Sequence, residues 1–321
     1  MAEPPSTPPE PAPPAPVPPA AGRPRSPHPL LALPCRSLWR SRHRPEDPDR
    51  FLAALRDEAR RLRRQGAGAV EFHADACVLD ARYAASGPWR EAGAVLAAEG
   101  LAATVHLPYV WPDLTALDQP VWEGSIASIV TALRATSPLA PLLAAVHPAN
   151  YATQALVLAT PADQRPGLLD ELANRLVAAL RRLQAEVPPA TATALALENL
   201  EGMPWALFDA VARAAGVAVC LDVGHAVSNG DDPVQLARTL GGRIRGLHLH
   251  DAVPPAGQGT GGAAAGRAHL PLGQGSLRLP ELAAALAETG FAGPVVLELE
   301  AGDALEAAVE KVRAAWSTAH R

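Results

Sequence analysis

The sequence predicts a single closed barrel of eight alternating strands and helices, an α/β fold, preceded by a disordered proline-rich tail. Three observations carry this. Eight short apolar runs alternate with eight longer amphipathic segments rich in Ala, Leu, Arg and Glu. The alternation fills about 290 residues, the length of one (β/α)8 barrel. No GxGxxG, and no GxxxxGK followed by Ser or Thr, comes after the first run. The phosphate loop expected of an open doubly wound sheet is therefore missing.

The tail spans residues 1–28 and holds 12 of the chain's 34 prolines. Proline lacks the N–H and fixes φ, so this stretch can build neither helix nor ladder and is expected to be an extended, solvated extension. The barrel is expected over residues 29–321. Its strand candidates are 30–35, 68–73, 102–107, 142–147, 193–198, 217–222, 243–250 and 294–299. Their near-continuous apolarity suits strands covered on both faces. Helical segments follow, among them 47–65, 166–186 and 280–289, with Pro or Asp near several starts and Gly after several ends.

Composition excludes several roles. The 321 residues carry 28 Lys plus Arg against 33 Asp plus Glu, a formal charge of −5, with 4% aromatics. That lacks the basic field and the stacking surfaces on which nucleic-acid binding depends. Cys35, Cys77 and Cys220 are odd in number and widely spaced, which argues against a disulfide framework or a thiolate zinc site. With no apolar run of membrane-spanning length and no secretory signal, a soluble cytoplasmic protein is expected.

In such a barrel the chemistry sits at the C-terminal ends of the strands. Strand 3 ends at His106, strand 4 at His147, strand 5 at Glu198, strand 6 at Asp222 with His225 three residues on, strand 7 at His248 and His250, and strand 8 at Glu298. With His269 in the following loop, six of the ten histidines belong to this rim. Gathering so many carboxylates and imidazoles without a cation is costly in desolvation and repulsion. Imidazole and carboxylate are the ligands that zinc and manganese accept, and the number of candidates suggests two or three ions. His248 and His250, two apart, both point to the mouth, with Leu247 and Leu249 on the other face. Glu71 either holds a ligand imidazole from behind or pairs with an arginine, and Glu300 is expected in solvent.

The motifs VHLPY (105–109), VHP (146–148), LEN (197–199), LDVGH (221–225), LHLHD (247–251), HLPLGQG (269–275) and VVLEL (295–299) together resemble the xylose isomerase-like TIM barrel superfamily over residues 30–318. That superfamily includes sugar isomerases and epimerases and the type IV apurinic endonucleases. The resemblance implies that Glu198, Asp222, His248 and Glu298 surround one metal in both branches. In the epimerase branch the two glutamates, here Glu198 and Glu298, act as acid and base. In the endonuclease branch His106, His147, His225 and His269 complete further zinc sites, before a G-x-G that stands here as Gly273-Gln274-Gly275.

Where that branch has an aspartate two residues before the last histidine, this chain has Arg267. A third ion then keeps only His225 and His269 unless His250 or Asp251 supplies a ligand. Arg267, whose guanidinium forks onto two oxygens, is alternatively a contact for a substrate phosphate, and His250 and Asp251 are placed beside it at the substrate.

The leading expectation is a metal-dependent phosphodiesterase with two or three zinc ions, in which a hydroxide generated on the metals attacks phosphorus. The acidity of the chain favours a small phosphodiester over DNA. Cobamide-remodelling phosphodiesterases are one such group that the HLH and GRxHLPL segments resemble. The alternatives are a sugar or sugar-phosphate isomerase or epimerase around one Mn or Mg ion, and a non-catalytic binding barrel. Specificity is expected from the loops 74–90, 109–120, 148–162 and 251–268.

Overall fold

A computed structural model of the chain describes residues 28–41, 44–255, 266–299 and 303–319. The barrel strands are β1 (Leu30–Pro34), β2 (Ala69–His73), β3 (Ala102–His106), β4 (Ala144–Val146), β5 (Leu195–Glu198), β6 (Ala218–Asp222), β7 (Ile244–Leu249) and β8 (Pro294–Leu297). Each pairs in parallel with its neighbours in chain order, and β1 closes the ring on β8. The main helices are α1 (Pro48–Arg64), α2 (Ser86–Ala98), α3 (Gln119–Thr136), α4 (Arg165–Glu186), α5 (Trp205–Ala215), α6 (Pro233–Leu240), α7 (Leu279–Glu288) and α8 (Asp303–Ala319). The expected closed barrel is thus the observed one. The tail expected over residues 1–28 lies outside the described residues except for His28, as does Glu300.

The strands alternate with period two. Val70, Phe72, Val105, Leu197, Leu221, Leu247 and Leu249 pack outward beneath the helices. The lower interior is filled by Ala32, Ala69, Leu143, Ala145, Ala196, Ala218, Cys220 and Val296. Small side chains are needed there because eight strands leave little room at the axis. At Gly246 a Cβ would stand 2.7 Å from the Leu143 side chain, so β7 yields its space to β4. Above this layer the same inward phase carries polar residues, which places the site at the upper mouth.

Capping sets the helices on their strands. Pro48 begins α1 behind Asp47, whose carboxylate accepts from Asp49 N at 3.1 Å, and Pro120 is the second residue of α3 behind Asp118, which accepts from Val121 N at 3.1 Å. The candidate strand 193–198 begins two residues late, because Pro189 starts a short helix, Pro189–Ala194, that buries Thr191 and Ala194. A small antiparallel pair, Asp251–Val253 with Arg267–Leu270, rises beyond β7.

Candidate metal centre at the barrel mouth

Inward positions at the strand ends converge on Glu198. Its Oε2 lies 3.6 Å from His106 Nε2, and its Oε1 lies 3.5 Å from His147 Nε2 and 3.0 Å from His248 Nδ1. His248 Nδ1 is also 2.8 Å from Glu298 Oε1. Burial pushes the Glu198 carboxyl up, but His248 and His147 override it and hold it well below the usual carboxylate range. Glu298 behaves alike, burial opposing and His248 prevailing. Burial disfavours the charged form of His248, yet Cys220, Glu198, Glu298 and Glu71 raise its pKa well above the ordinary imidazole value. His106 goes the other way, lowered by burial despite Glu198.

The imidazoles are held in definite tautomers. His106 Nδ1 donates to Leu107 O at 2.9 Å, leaving Nε2 its lone pair toward Glu198. His225 Nδ1 lies 3.0 Å from Asn199 O, which does the same for that ring. Asp222 divides its oxygens: Oδ1 caps the helix Val223–Asn229 by accepting from His225 N at 2.6 Å, and Oδ2 is left 3.2 Å from His250 Nε2. Burial raises the Asp222 pKa and His225 and His250 outweigh it, so it stays anionic. Asn199 fixes that strand end, donating to Asp222 O at 2.9 Å and accepting from Asp222 N at 2.8 Å.

A second set lies beside the first. The rings of His250 and His269 stack with centroids 4.0 Å apart, and His269 Nδ1 is 3.8 Å from Glu298 Oε2. His269 takes φ +54°, a left-handed conformation that disfavours a side chain, and its N–H donates to His250 Nδ1 at 2.9 Å. Four groups bring ligand atoms within 4.8 Å of one another: His106, Glu198, His248 and Glu298; Glu198, Asp222 and His225; Asp222, His250 and Glu298; and His225, His250 and His269. Inside this mouth Glu198 Oε2, His147 Nε2 and His248 Nε2 are buried without a hydrogen bond. Buried polar atoms are normally satisfied, so this donor set fits divalent cations. Glu71 Oε1 lies 3.6 Å from His248 Nε2, the place of a carboxylate that fixes the tautomer of a ligating ring.

The eight expected ligands are therefore gathered at one mouth. Of the expected substrate contacts, Arg267 is exposed on the hairpin rim. His250 is fully buried against Asp222. Asp251 is also buried, and its oxygens accept from Ala252 N, Gly273 N and Leu277 N at 2.9, 2.7 and 3.0 Å, which ties down the loop after the hairpin.

A family model described as the xylose isomerase-like TIM barrel matches residues 59–318. The chain belongs to this family. Three solved structures illustrate the likeness of this xylose isomerase-like barrel. A xylose isomerase domain protein from Alicyclobacillus acidocaldarius is 17% identical with a TM-score of 0.60, covering 91% of this chain and 99% of that one. The 3-keto-D-glucoside 4-epimerase from E. coli is 16% identical with a TM-score of 0.64, covering 90% and 99%. A D-psicose 3-epimerase from Clostridium cellulolyticum H10 is 16% identical with a TM-score of 0.59, covering 91% and 96%. No curated protein matches the chain. At these identities the structures speak for the fold alone.

The structure adds residues the sequence reading passed over. His73 ends β2 in register with His106, and the two rings stack at 5.1 Å. Its signal was present, two residues after Glu71 on the same strand face. Tyr109 packs over His106 and His147, with ring centroids 4.8 and 5.1 Å away. Asp75, buried, accepts from Tyr109 N at 3.3 Å. Among the described residues no helix is long and apolar enough to cross a membrane.

Proposed function

We propose that this xylose isomerase-like barrel is a cytoplasmic, metal-dependent hydrolase acting on a small phosphodiester. The observation that carries the reading is the pair His106 and His147, both with Nε2 within 3.6 Å of the Glu198 carboxylate. An acid–base pair around one ion has no use for two further imidazoles there. Divalent cations, zinc by the nitrogen-rich donor set, supply charge neutralisation at phosphorus and an activated oxygen nucleophile when bound. His106, His147 and Glu198 would hold one ion, and Asp222, His248 and Glu298 would hold a second beside it. His225, His250 and His269, whose ligand atoms lie within 4.8 Å of one another, would hold a third. Asp251 positions the loop 271–277, Glu71 orients His248, and Arg267 meets substrate phosphate at the rim. The cobamide nucleotide loop is one candidate diester.

A second reading, a sugar or sugar-phosphate isomerase or epimerase using one Mn or Mg ion, is favoured by the neighbours' names and by Glu198 and Glu298 converging on His248 at 3.0 and 2.8 Å. In that reading Glu198 and Glu298 exchange a proton with a carbon beside a carbonyl. Elemental analysis of metal per chain, with a screen of small phosphodiesters and ketoses, separates them. Two or more zinc with diester cleavage, lost in His106→Ala and His147→Ala, supports the hydrolase. One Mn or Mg, with both variants keeping full metal and sugar turnover, overturns it. Protein that binds no metal under either loading favours a binding barrel.

A further inference from the structure

The large apolar side chains that the described surface exposes most lie on one side of the molecule. All eight fall in the connections after β2, β3 and β4, and none on the half built from β5 to β8. The six after β3 and β4 are Trp111, Leu117, Val121, Tyr151, Leu156 and Leu158. Trp111 is 50% exposed, Tyr151 67% and Leu158 61%. The helix Tyr151–Ala159 buries Thr153 and Val157 and turns most of its other side chains outward. From residue 148 to 162 there is no charged residue, and between 107 and 117 there is one, Asp113, which is buried. Single exposed apolar residues are ordinary, but such a concentration, with Asp118 its one exposed charge, marks a binding surface.

The two connections that carry these residues are tied to each other. The Asp113 carboxylate accepts from Thr153 Oγ1 at 2.6 Å on one oxygen and from Thr115 N and Oγ1, at 2.8 and 2.6 Å, on the other. Asn150 caps the helix through Ala152 N at 2.9 Å and donates to Trp111 O at 3.4 Å. Both connections start from ligand strands. Trp111 comes two residues after Tyr109, which packs over His106 and His147, and Tyr151 comes four after His147. Across the mouth, among the described residues, the hairpin after β7 exposes Arg267 and His269. The rim thus carries exposed apolar and aromatic side chains after β3 and β4, and the guanidinium of Arg267 after β7.

We propose that Trp111 and Tyr151 bind a flat apolar ester group of the substrate while its phosphate lies over the metal centre. The inference rests on the phosphodiester reading and narrows it: the substrate is an amphiphilic diester with one large aromatic or otherwise planar substituent. An aromatic face supplies large contact area at little conformational cost, whereas a free sugar phosphate, hydroxylated all round, gains little from this surface.

The test uses the full-length, metal-loaded protein and two inert probes, 1-naphthylphosphonate and methylphosphonate, with calorimetry for affinity. Wild type should prefer the naphthyl probe by about tenfold or more, the scale of one ring-stacking contact. Trp111→Ala and Tyr151→Ala should each remove most of that preference, leaving methylphosphonate affinity within about twofold and the metal content unchanged. Tyr151 is 67% and Trp111 50% exposed, and a melting curve of each variant that matches wild type keeps a lost preference from being read as a lost fold. Equal affinity for the two probes in wild type, no binding of either, or a preference that survives both substitutions would overturn the proposal. A preference lost in the variants but unaccompanied by diester cleavage retains the binding surface and sinks the hydrolase; cleavage without preference does the reverse.

Discussion

Glu198 faces an imidazole with each oxygen, so its charge is the hub of the mouth. Glu198→Gln keeps the shape and removes the charge. Metal affinity should fall by about 100-fold or more, and inductively coupled plasma measurement after dialysis should find substoichiometric metal; full retention would deny Glu198 its ligand role. His250 gives a pH prediction for the chelator-treated protein. Burial disfavours its charged form, but Asp222 overrides this and pushes its pKa up to about 9, the second proton displacing the His269 N–H from Nδ1. A raised folded-state pKa means that its stabilising contribution is complete below about pH 6.5 and is lost as pH rises through about 9. Melting temperatures of metal-free wild type should fall across pH 7 to 9, and His250→Gln should flatten that part of the curve. Parallel curves would show that the His250–Asp222 pair stores no such energy.

The elements owe their positions to close approaches that a side chain would block. At Gly224 an added Cβ would run into the His250 ring, and at Gly275 into Asp251 Oδ1 and Ala252 O, while Gly273 takes φ +89°. Gly224→Ala should displace His250 and cost about 1–3 kcal/mol of stability by overpacking, read from denaturant unfolding, and should lower zinc content. Unchanged stability and metal would mean that β7 shifts freely. The strands were legible because apolar runs of strand length recur eight times, and the ligands because β3 to β8 turn polar where they leave the core. His73 was less legible: a histidine two after a glutamate reads as a strand end until the register sets it against His106. The work of Asp251 was hidden because its partners Gly273 and Leu277 are more than 20 residues away. The late start of β5 reflects a local override, Pro189 opening a helical turn inside an apolar run.

For the whole molecule, the −5 charge is less telling than where the negative groups are buried. Glu71, Glu198 and Asp222 are each at most 1% exposed, on three strands of one ring. Among the described residues they face imidazoles and no Lys or Arg pairs with them. Closing the barrel therefore concentrates carboxylates that only protons or cations can neutralise, which ties metal binding to the stability of the ring itself. An ion that binds the folded state alone adds about 4 kcal/mol at a thousand times its Kd. For a chain somewhat larger than 250 residues that corresponds to roughly 2 °C per kcal/mol, so one site is worth on the order of 8 °C. Removing metal with a chelator should lower the melting temperature by at least that amount, and zinc added back should restore it in proportion to the ions bound. His106→Ala should shrink the zinc-dependent rise, because it removes a ligand from one ion while Asp222, His248 and Glu298 still hold another. A melting temperature indifferent to chelator and to zinc would separate the fold from the metal and leave the buried carboxylates to be neutralised by protonated imidazoles alone.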